Sequence, residues 1–318
     1  MTHSLYKFVS NHDYILKDGY IRATQLSALN DPFEAVYCKD SLIRLSKEFE
    51  YDYLIDINQI EVDKHKIGVI SFTESKDNLL MWAHYANEYK GSLIGISKSG
   101  YVMGSIFKNL FPFYNSSLIP IFEGKLEPVT YRKQPMYKID MFDRDYSNIS
   151  ITGENQILYE IFQQKSEEWI YEKEHRIILR LEQADKIVLE DLEDEELDKL
   201  KEIFIEDESI IEKNTERNQT IFYLNKIEDE DERSILASLL TKYSKNPNNL
   251  YLFKLCPHSI CSLIFGQNAK SFDFNSYVEK WNSRGYFDVY KSRINKSTYT
   301  LDFEKLHSKF RVHRTNYL

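Results

Sequence analysis

The segment "KSEEWIYEKEHRIILRL", Lys165 to Leu181, sets Glu172, Glu174 and Arg176 at alternate positions. In an extended chain alternate side chains share a face, so these three and Ile178 line one side while Tyr171, Lys173, His175 and Ile177 line the other. Two carboxylates on one face repel unless a cation or a ligand joins them. The arrangement raises the pKa of one of them, as at sites where carboxylates move protons or grip a ligand. Spacing alone equally allows a row of solvated ion pairs.

Other residues with chemical potential are spread along the chain. "LLMWAHYANEYKG" gathers Trp82, His84, Tyr85 and Tyr89 on one helical stretch. Trp82 and Tyr85, three apart, can stack an aromatic ligand or pack in a core; His84 can act as an acid or base or serve as a hydrogen-bonded structural residue. "LNDPFE" presents Asn30, Asp31 and Glu34 around a turn, either a helix N-cap over Phe33 or part of a site. Ser71 and Thr73 in "SFTE" share a strand face and can brace a carboxylate or cap the next helix. "CPHSIC" has no second ligand pair to complete a zinc site, and no base is tied to a cysteine, so neither a metal centre nor a thiol nucleophile is expected.

These residues need elements to position them. The apolar patterns predict strands at "SLYKF", "GYIRATQL", "KIGVISF", "SLIGIS" and the Glu172 segment, with a hairpin-like turn near Gly124 and a last strand pair, "LYLFKL" and "SICSLIFG". Helices are expected from Pro32 onward, from a Ser75 cap to a Gly91 stop, over "GENQILYEIFQQKSEE", over 191–214 and 226–244 with a short strand, "TIFYL", between them, and near Phe274 to Ser283. With no repeat and no Pro/Ser-rich linker, the expectation is α+β: one domain over 1–318 with a mixed or antiparallel sheet and surrounding helices. A charged helical insert at 182–234 and a basic C-terminal extension at 270–318 complete it.

Composition bounds the classes. Among 318 residues, 42% hydrophobic and 14% aromatic, only 10 are glycine, and neither a dinucleotide-binding glycine fingerprint nor a P-loop occurs. Three cysteines give no disulfide framework, the first residues lack an apolar signal region, and no long apolar run occurs, so a cytoplasmic protein without a membrane span is expected. The net charge of −9 is uneven: Glu182 to Arg233 holds 20 acidic and 7 basic residues, so the remaining body is mildly basic and open to a phosphate-bearing ligand.

Taken in order, "LYKF", "LNDPFE", "ISFTE" with "LLMWAHYANEYKG", "VTY", "WIYEKEHRI" and "IFG" resemble a bacterial family known as domain-of-unknown-function family 2971. A looser resemblance is to ADP-ribosyltransferases, which order a basic residue on the first strand, an S-x-S/T strand and an E-x-E pair. Here Tyr6, Lys7 or Arg22 fill the first role, Ser71 and Thr73 the second, Glu172 and Glu174 the third. The resemblance implies NAD as substrate, with Glu174 stabilising an oxocarbenium-like centre, Glu172 orienting or deprotonating an acceptor, and Lys7 or Arg22 on the pyrophosphate. His84 is a further catalytic candidate, and Asn30, Asp31, Trp82, Tyr85 and Arg176 complete the ligand-binding set. The expected activity is ADP-ribosyl transfer to a macromolecular acceptor or NAD hydrolysis, in the setting of a toxin or phage-defence effector. Two alternatives stay open: a non-enzymatic nucleotide or nucleic-acid-binding module using the basic C-terminal segment, and a metal-dependent nuclease built on Asp31, Glu172 and Glu174.

Overall fold

The computed structural model describes residues 4–48, 56–97, 106–112, 121–135, 153–190, 192–204, 210–269, 274–281 and 287–307. The first half runs β1 (Ser4–Val9), α1 (Asp13–Leu16), β2 (Tyr20–Gln25), α2 (Lys39–Glu48), α3 (Ile57–Asp63), β3 (Ile67–Thr73), α4 (Leu79–Tyr85) and β4 (Ser92–Ser97). Then come β5 (Leu126–Pro128), β6 (Thr130–Arg132), α5 (Gly153–Phe162), β7 (Gln164–Ser166), β8 (Glu174–Arg180) and β9 (Lys186–Glu190). The last third holds α6 (Asp194–Phe204), β10 (Ile211–Asn214), β11 (Gln219–Phe222), α7 (Glu230–Thr241), β12 (Leu250–Lys254), β13 (Ile260–Phe265), α8 (Asn275–Trp281), β14 (Asp288–Ile294) and β15 (Leu301–His307). It is an α+β fold on one large, mostly antiparallel sheet in the order β10-β11-β9-β12-β2-β3-β1-β4-β13-β14-β15, with β8 also on β3.

The sheet forks at β3. One edge of β3 pairs along its whole length with β8, from Ile67↔Arg180 to Thr73↔Glu174. The other edge is shared: β2 takes its start, through Thr24↔Val69 and Gln25↔Gly68, and β1 takes its end, through Tyr6↔Thr73. Between them the two strands part, and the Lys7 ammonium donates to the Ser71 carbonyl, 3.3 Å away.

The alternation of β3 and β8 sorts side chains into two layers. Ile70 and Phe72, with Ile177 and Leu179, enter the main core, which spreads under β2, β9, β12 and α7. On the opposite face Ile67, Val69 and Ile178 pack beneath Ile157, Leu158, Ile161 and Phe162 of α5. The same face continues, past the cover of α5, as Ser71 and Thr73 on β3 and as Arg176 and Glu174 on β8. A third cluster packs Met81, Trp82 and Ala86 of α4 and its end against Phe8, Leu93 and Ile264.

Several expectations are corrected here. After Pro32 the chain makes turns, with Ala35 at positive φ, and no helix begins until Lys39. The cap of α4 is Asn78, whose side chain accepts from Leu80 and Met81 N–H, while Ser75 N–H donates to Thr73 Oγ1. The helix stops at Tyr85 because Asn87, Glu88 and Tyr89 all turn left-handed before Gly91 is reached. In the acidic insert the strand expected at "TIFYL" is β11, and the insert is less helical than expected because β9 and β10 also join the sheet beside β12. "LYLFKL" and "SICSLIFG" do not pair with each other, since β12 joins β2 and β9 while β13 joins β4 and β14. The C-terminal extension contributes β14 and β15 to the sheet, and its residues 308–318 lie outside the described residues.

Candidate functional site

Glu172 does not lie on the strand that carries Glu174. It ends a 3-10 turn spanning Glu167–Glu172; Lys173 then adopts a left-handed conformation at φ 45°, and β8 begins at Glu174. The expected face of Glu172, Glu174 and Arg176 is therefore a strand pair, Glu174 and Arg176, joined by a carboxylate from the preceding turn. Thr73 Oγ1 donates to the Glu172 carbonyl at 2.5 Å and Tyr131 Oη accepts from the Glu174 N–H at 2.7 Å, pinning the kink from both sides.

Buried cations hold the carboxylates together. The Lys165 ammonium donates to Glu172 Oε2 at 2.7 Å and to Glu174 Oε2 at 2.9 Å. Arg176 donates from Nε to Glu174 Oε1 at 2.7 Å and, through its two terminal nitrogens, to both oxygens of Glu34 at 2.5 and 2.8 Å. Its terminal nitrogens also donate to the carbonyl of Phe162, the last residue of α5, at 2.6 Å and to Glu174 Oε2 at 3.3 Å. At the other end Tyr85 Oη donates to Glu172 Oε1 at 2.7 Å and accepts from Asn30 Nδ2 at 3.0 Å. The result is a continuous row, Glu34, Arg176, Glu174, Lys165, Glu172, Tyr85, Asn30, with Arg176 and the three carboxylates all buried. Charged groups survive such burial only when each is paired.

The row opens on a cavity of about 110 Å³ at the fork of the sheet. Its walls are Tyr6, Lys7 and Phe8 from β1, Ser71 to Thr73 from β3, Asn30 and Glu34 from the turn, Met81 and Tyr85 from α4, and Lys165, Glu172, Glu174 and Arg176. Burial alone would raise the Glu174 pKa, but Arg176, then Lys165, outweigh it and hold the carboxyl down at about 2. For Glu174 itself the like-charge rise does not occur, because its nearest neighbours are cations. Lys7 moves the other way, because burial first, and Arg22 beside it, outweigh Glu174 and bring its ammonium down to about 8. The cavity thus holds a fixed anion and, facing it, a cation that titrates near neutral pH.

Of the residues singled out in the sequence, Tyr6, Lys7, Asn30, Ser71, Thr73, Tyr85, Glu172, Glu174 and Arg176 line this one cavity. Four do not. Arg22 is tied to Gln25 Oε1 and to the carbonyls of Pro247 and Asn249, so only its field reaches the site. Asp31 shapes the turn, accepting from the Phe33 N–H at 2.9 Å. Trp82 is fully buried, donates to the Lys76 carbonyl and packs edge-on against Phe8, so it covers no ligand. His84 is exposed on the far side of α4, since the helical phase that brings Met81 and Tyr85 to the cavity turns it to solvent.

Two members of the row, Lys165 within it and Glu34 at its end, were not anticipated as partners of the carboxylate pair and Arg176. Lys165 opened the segment of interest, yet its position comes from β7, a three-residue strand parallel to β6 with Tyr131 opposite Lys165. Glu34 reaches Arg176 from 142 positions away. The sequence signal for both is indirect: a carboxylate pair and an arginine with no nearby apolar reason to be charged require counter-charges.

The metal reading meets an obstacle in this geometry. Among the described residues no cluster of three or more metal-binding side chains occurs, and the Lys165 ammonium occupies the position between Glu172 and Glu174 that a cation would take. Among them, too, no helix is long and apolar enough to cross a membrane.

No curated protein and no solved structure matches the chain. A family model does match, over a narrower span than the scattered resemblance suggested: it takes in α4, Lys165 and the Glu172 to Arg176 segment and leaves out β1, the Glu34 turn and β3. Over residues 81–177 the chain is similar to the family described as "Protein of unknown function (DUF2971)".

Proposed function

We propose that this cavity cleaves the bond between nicotinamide and ribose in NAD, passing ADP-ribose to a macromolecular acceptor or to water. The observation that carries the reading is the convergence of Glu174, held ionised, with Glu172, Ser71, Thr73 and Lys7 around one cavity. As the glycosidic bond breaks, its electron pair leaves with nicotinamide and positive charge develops on the ribose ring. A carboxylate fixed beside that carbon stabilises the charge without having to lose a proton first.

Glu174 takes that role. Glu172, held by Lys165 and Tyr85, orients the incoming hydroxyl or water and accepts its proton, so that NAD and water yield nicotinamide, ADP-ribose and a proton. Lys7 meets the phosphate charge, and Tyr6 and Tyr85 supply ring faces for the nicotinamide. The cavity is smaller than the roughly 300–1,000 Å³ that enclose a whole drug-sized ligand, so it suits the nicotinamide-ribose end, with the adenosine lying outward. In a bacterial cell this chemistry fits a toxin or phage-defence effector: expression of the wild type should lower cellular NAD, and the Glu174→Gln variant should not.

The direct test is incubation of the purified protein with NAD labelled in the nicotinamide or in the adenine, with and without cell extract as a source of acceptors. Release of nicotinamide, with ADP-ribose or a labelled macromolecule as the other product, is expected. Glu174→Gln should reduce the rate by about 10²–10³, the range for loss of one charge-stabilising group.

A further inference from the structure

The outer face of the β2–β12–β9 ladder gathers lysines and tyrosines that the cavity does not use. Ile21, Tyr251, Phe253 and Ile187 turn inward to the core, which leaves Tyr20, Lys254 and Lys186 on the open side. Tyr20 lies directly opposite Lys254, and Lys186 opposite Leu252, so the three sit within two strand spacings. The Lys254 ammonium stands 4.2 Å from the Tyr20 ring centre, and Lys186 stands 5.6 Å from that ring and 4.9 Å from Tyr223. Lys226 adds a fourth contact, 4.5 Å over Tyr223.

Backbone carbonyls meet two of the ammoniums on this side. Lys254 also donates to the Asp18 carbonyl at 2.5 Å, and Lys280 to that of Lys17. Among the described residues, Asp185 is buried on Arg233 and the Lys254 N–H, Glu212 accepts from Tyr223 Oη, and Asp18 stands exposed. Burial, then the charge of Lys280, lowers the Lys254 pKa, a sign of crowded cations. Lys186 and Lys226 come from within the acidic insert, so two of its seven basic residues lie on this face.

We propose that this face binds single-stranded nucleic acid. Phosphates engage Lys186, Lys226, Lys254 and Lys280, and as they draw the ammoniums outward, the Tyr20 and Tyr223 rings are freed to stack bases. Rings and ammoniums alternating along the ladder match the bases and phosphates of an extended single strand. The surface is separate from the NAD cavity and from the C-terminal hairpin of β14 and β15.

The test is fluorescence anisotropy of the full chain with labelled oligo-dT and oligo-U of about 20 nucleotides, longer than a ~4–16-nucleotide site. Binding should weaken as salt rises from about 50 to 200 mM, with a log–log slope of about −2 to −3 for three or four neutralised phosphates. Lys186→Glu with Lys254→Glu should weaken it at least about tenfold and flatten the slope. Tyr20→Ala should weaken it about tenfold with the slope retained, because stacking and not charge is lost. The relative affinity of the two oligomers tells RNA from DNA. No binding at low salt, binding unchanged in the double-lysine variant, loss only on Lys296→Glu in the C-terminal hairpin, or equal affinity for anionic lipid vesicles would each overturn the proposal.

Discussion

Glu174 stands between Arg176 and Lys165, and its carboxyl is held at about 2 against an ordinary 4.5. A folded-state pKa below the unfolded one stabilises the fold above the unfolded value, and the gain is lost as pH falls from about 4.5 to about 2. The gap corresponds to on the order of 3 kcal/mol at neutral pH. Glu174→Gln should therefore cost about 3 kcal/mol in urea unfolding at pH 7 and much less near pH 2, where the wild-type carboxyl is itself becoming neutral. Activity loss in this variant is accordingly read with folding checked separately. Lys7 gives a second titration: its ammonium is charged below about 8, so affinity for ADP-ribose should fall about tenfold per pH unit above that point. Lys7→Met should bind roughly ten- to a hundredfold more weakly at pH 7, as for a lost charge-assisted hydrogen bond, and show no pH dependence there. Calorimetric titration across pH 6.5 to about 10 separates the two behaviours.

At the scale of elements, the fork at β3 makes the site and the loop after α4 aligns its wall. Three consecutive left-handed residues, Asn87 to Tyr89, end the helix and bring the Tyr89 carbonyl against Gly266, where an added Cβ would lie 2.1 Å from it. Because that neighbour is backbone, Gly266→Ala forces the strand and loop apart, and a loss of about 1–3 kcal/mol is expected. A lower denaturation midpoint at unchanged slope would report it. Local pattern was enough to read β1, β2, β3, β4 and the start of α5, whose apolar periods are strong, but the expected helix ran on to Glu168 where the chain ends it at Phe162 and forms β7. It was not enough for the partners of β12 and β13, because strand pairing is a non-local choice and neighbours in sequence need not be neighbours in the sheet. The phase of a strand was carried two residues too far at Glu172, where Lys173 breaks it with a left-handed turn that only Glu172's tertiary contacts repay.

Over the whole molecule, the convergence of β1, β3, α4 and the Glu172 segment was legible as an ordered set of motifs. Their counter-charges, Lys165 and Glu34, were not, since a charge far away in sequence is chosen by the fold rather than by spacing. The uneven charge was read correctly in total, but the sheet redistributes it, placing two lysines of the acidic insert beside Lys254 and leaving three carboxylates buried on two cations at the fork. The site reading now rests on one chemical event. Purified protein should release labelled nicotinamide from NAD, in the presence of cell extract if water is a poor acceptor, and a Glu174→Gln protein that folds should not. No nicotinamide release and no labelled acceptor from the wild type, or equal release by both proteins, would contradict the assignment of the cavity to NAD cleavage.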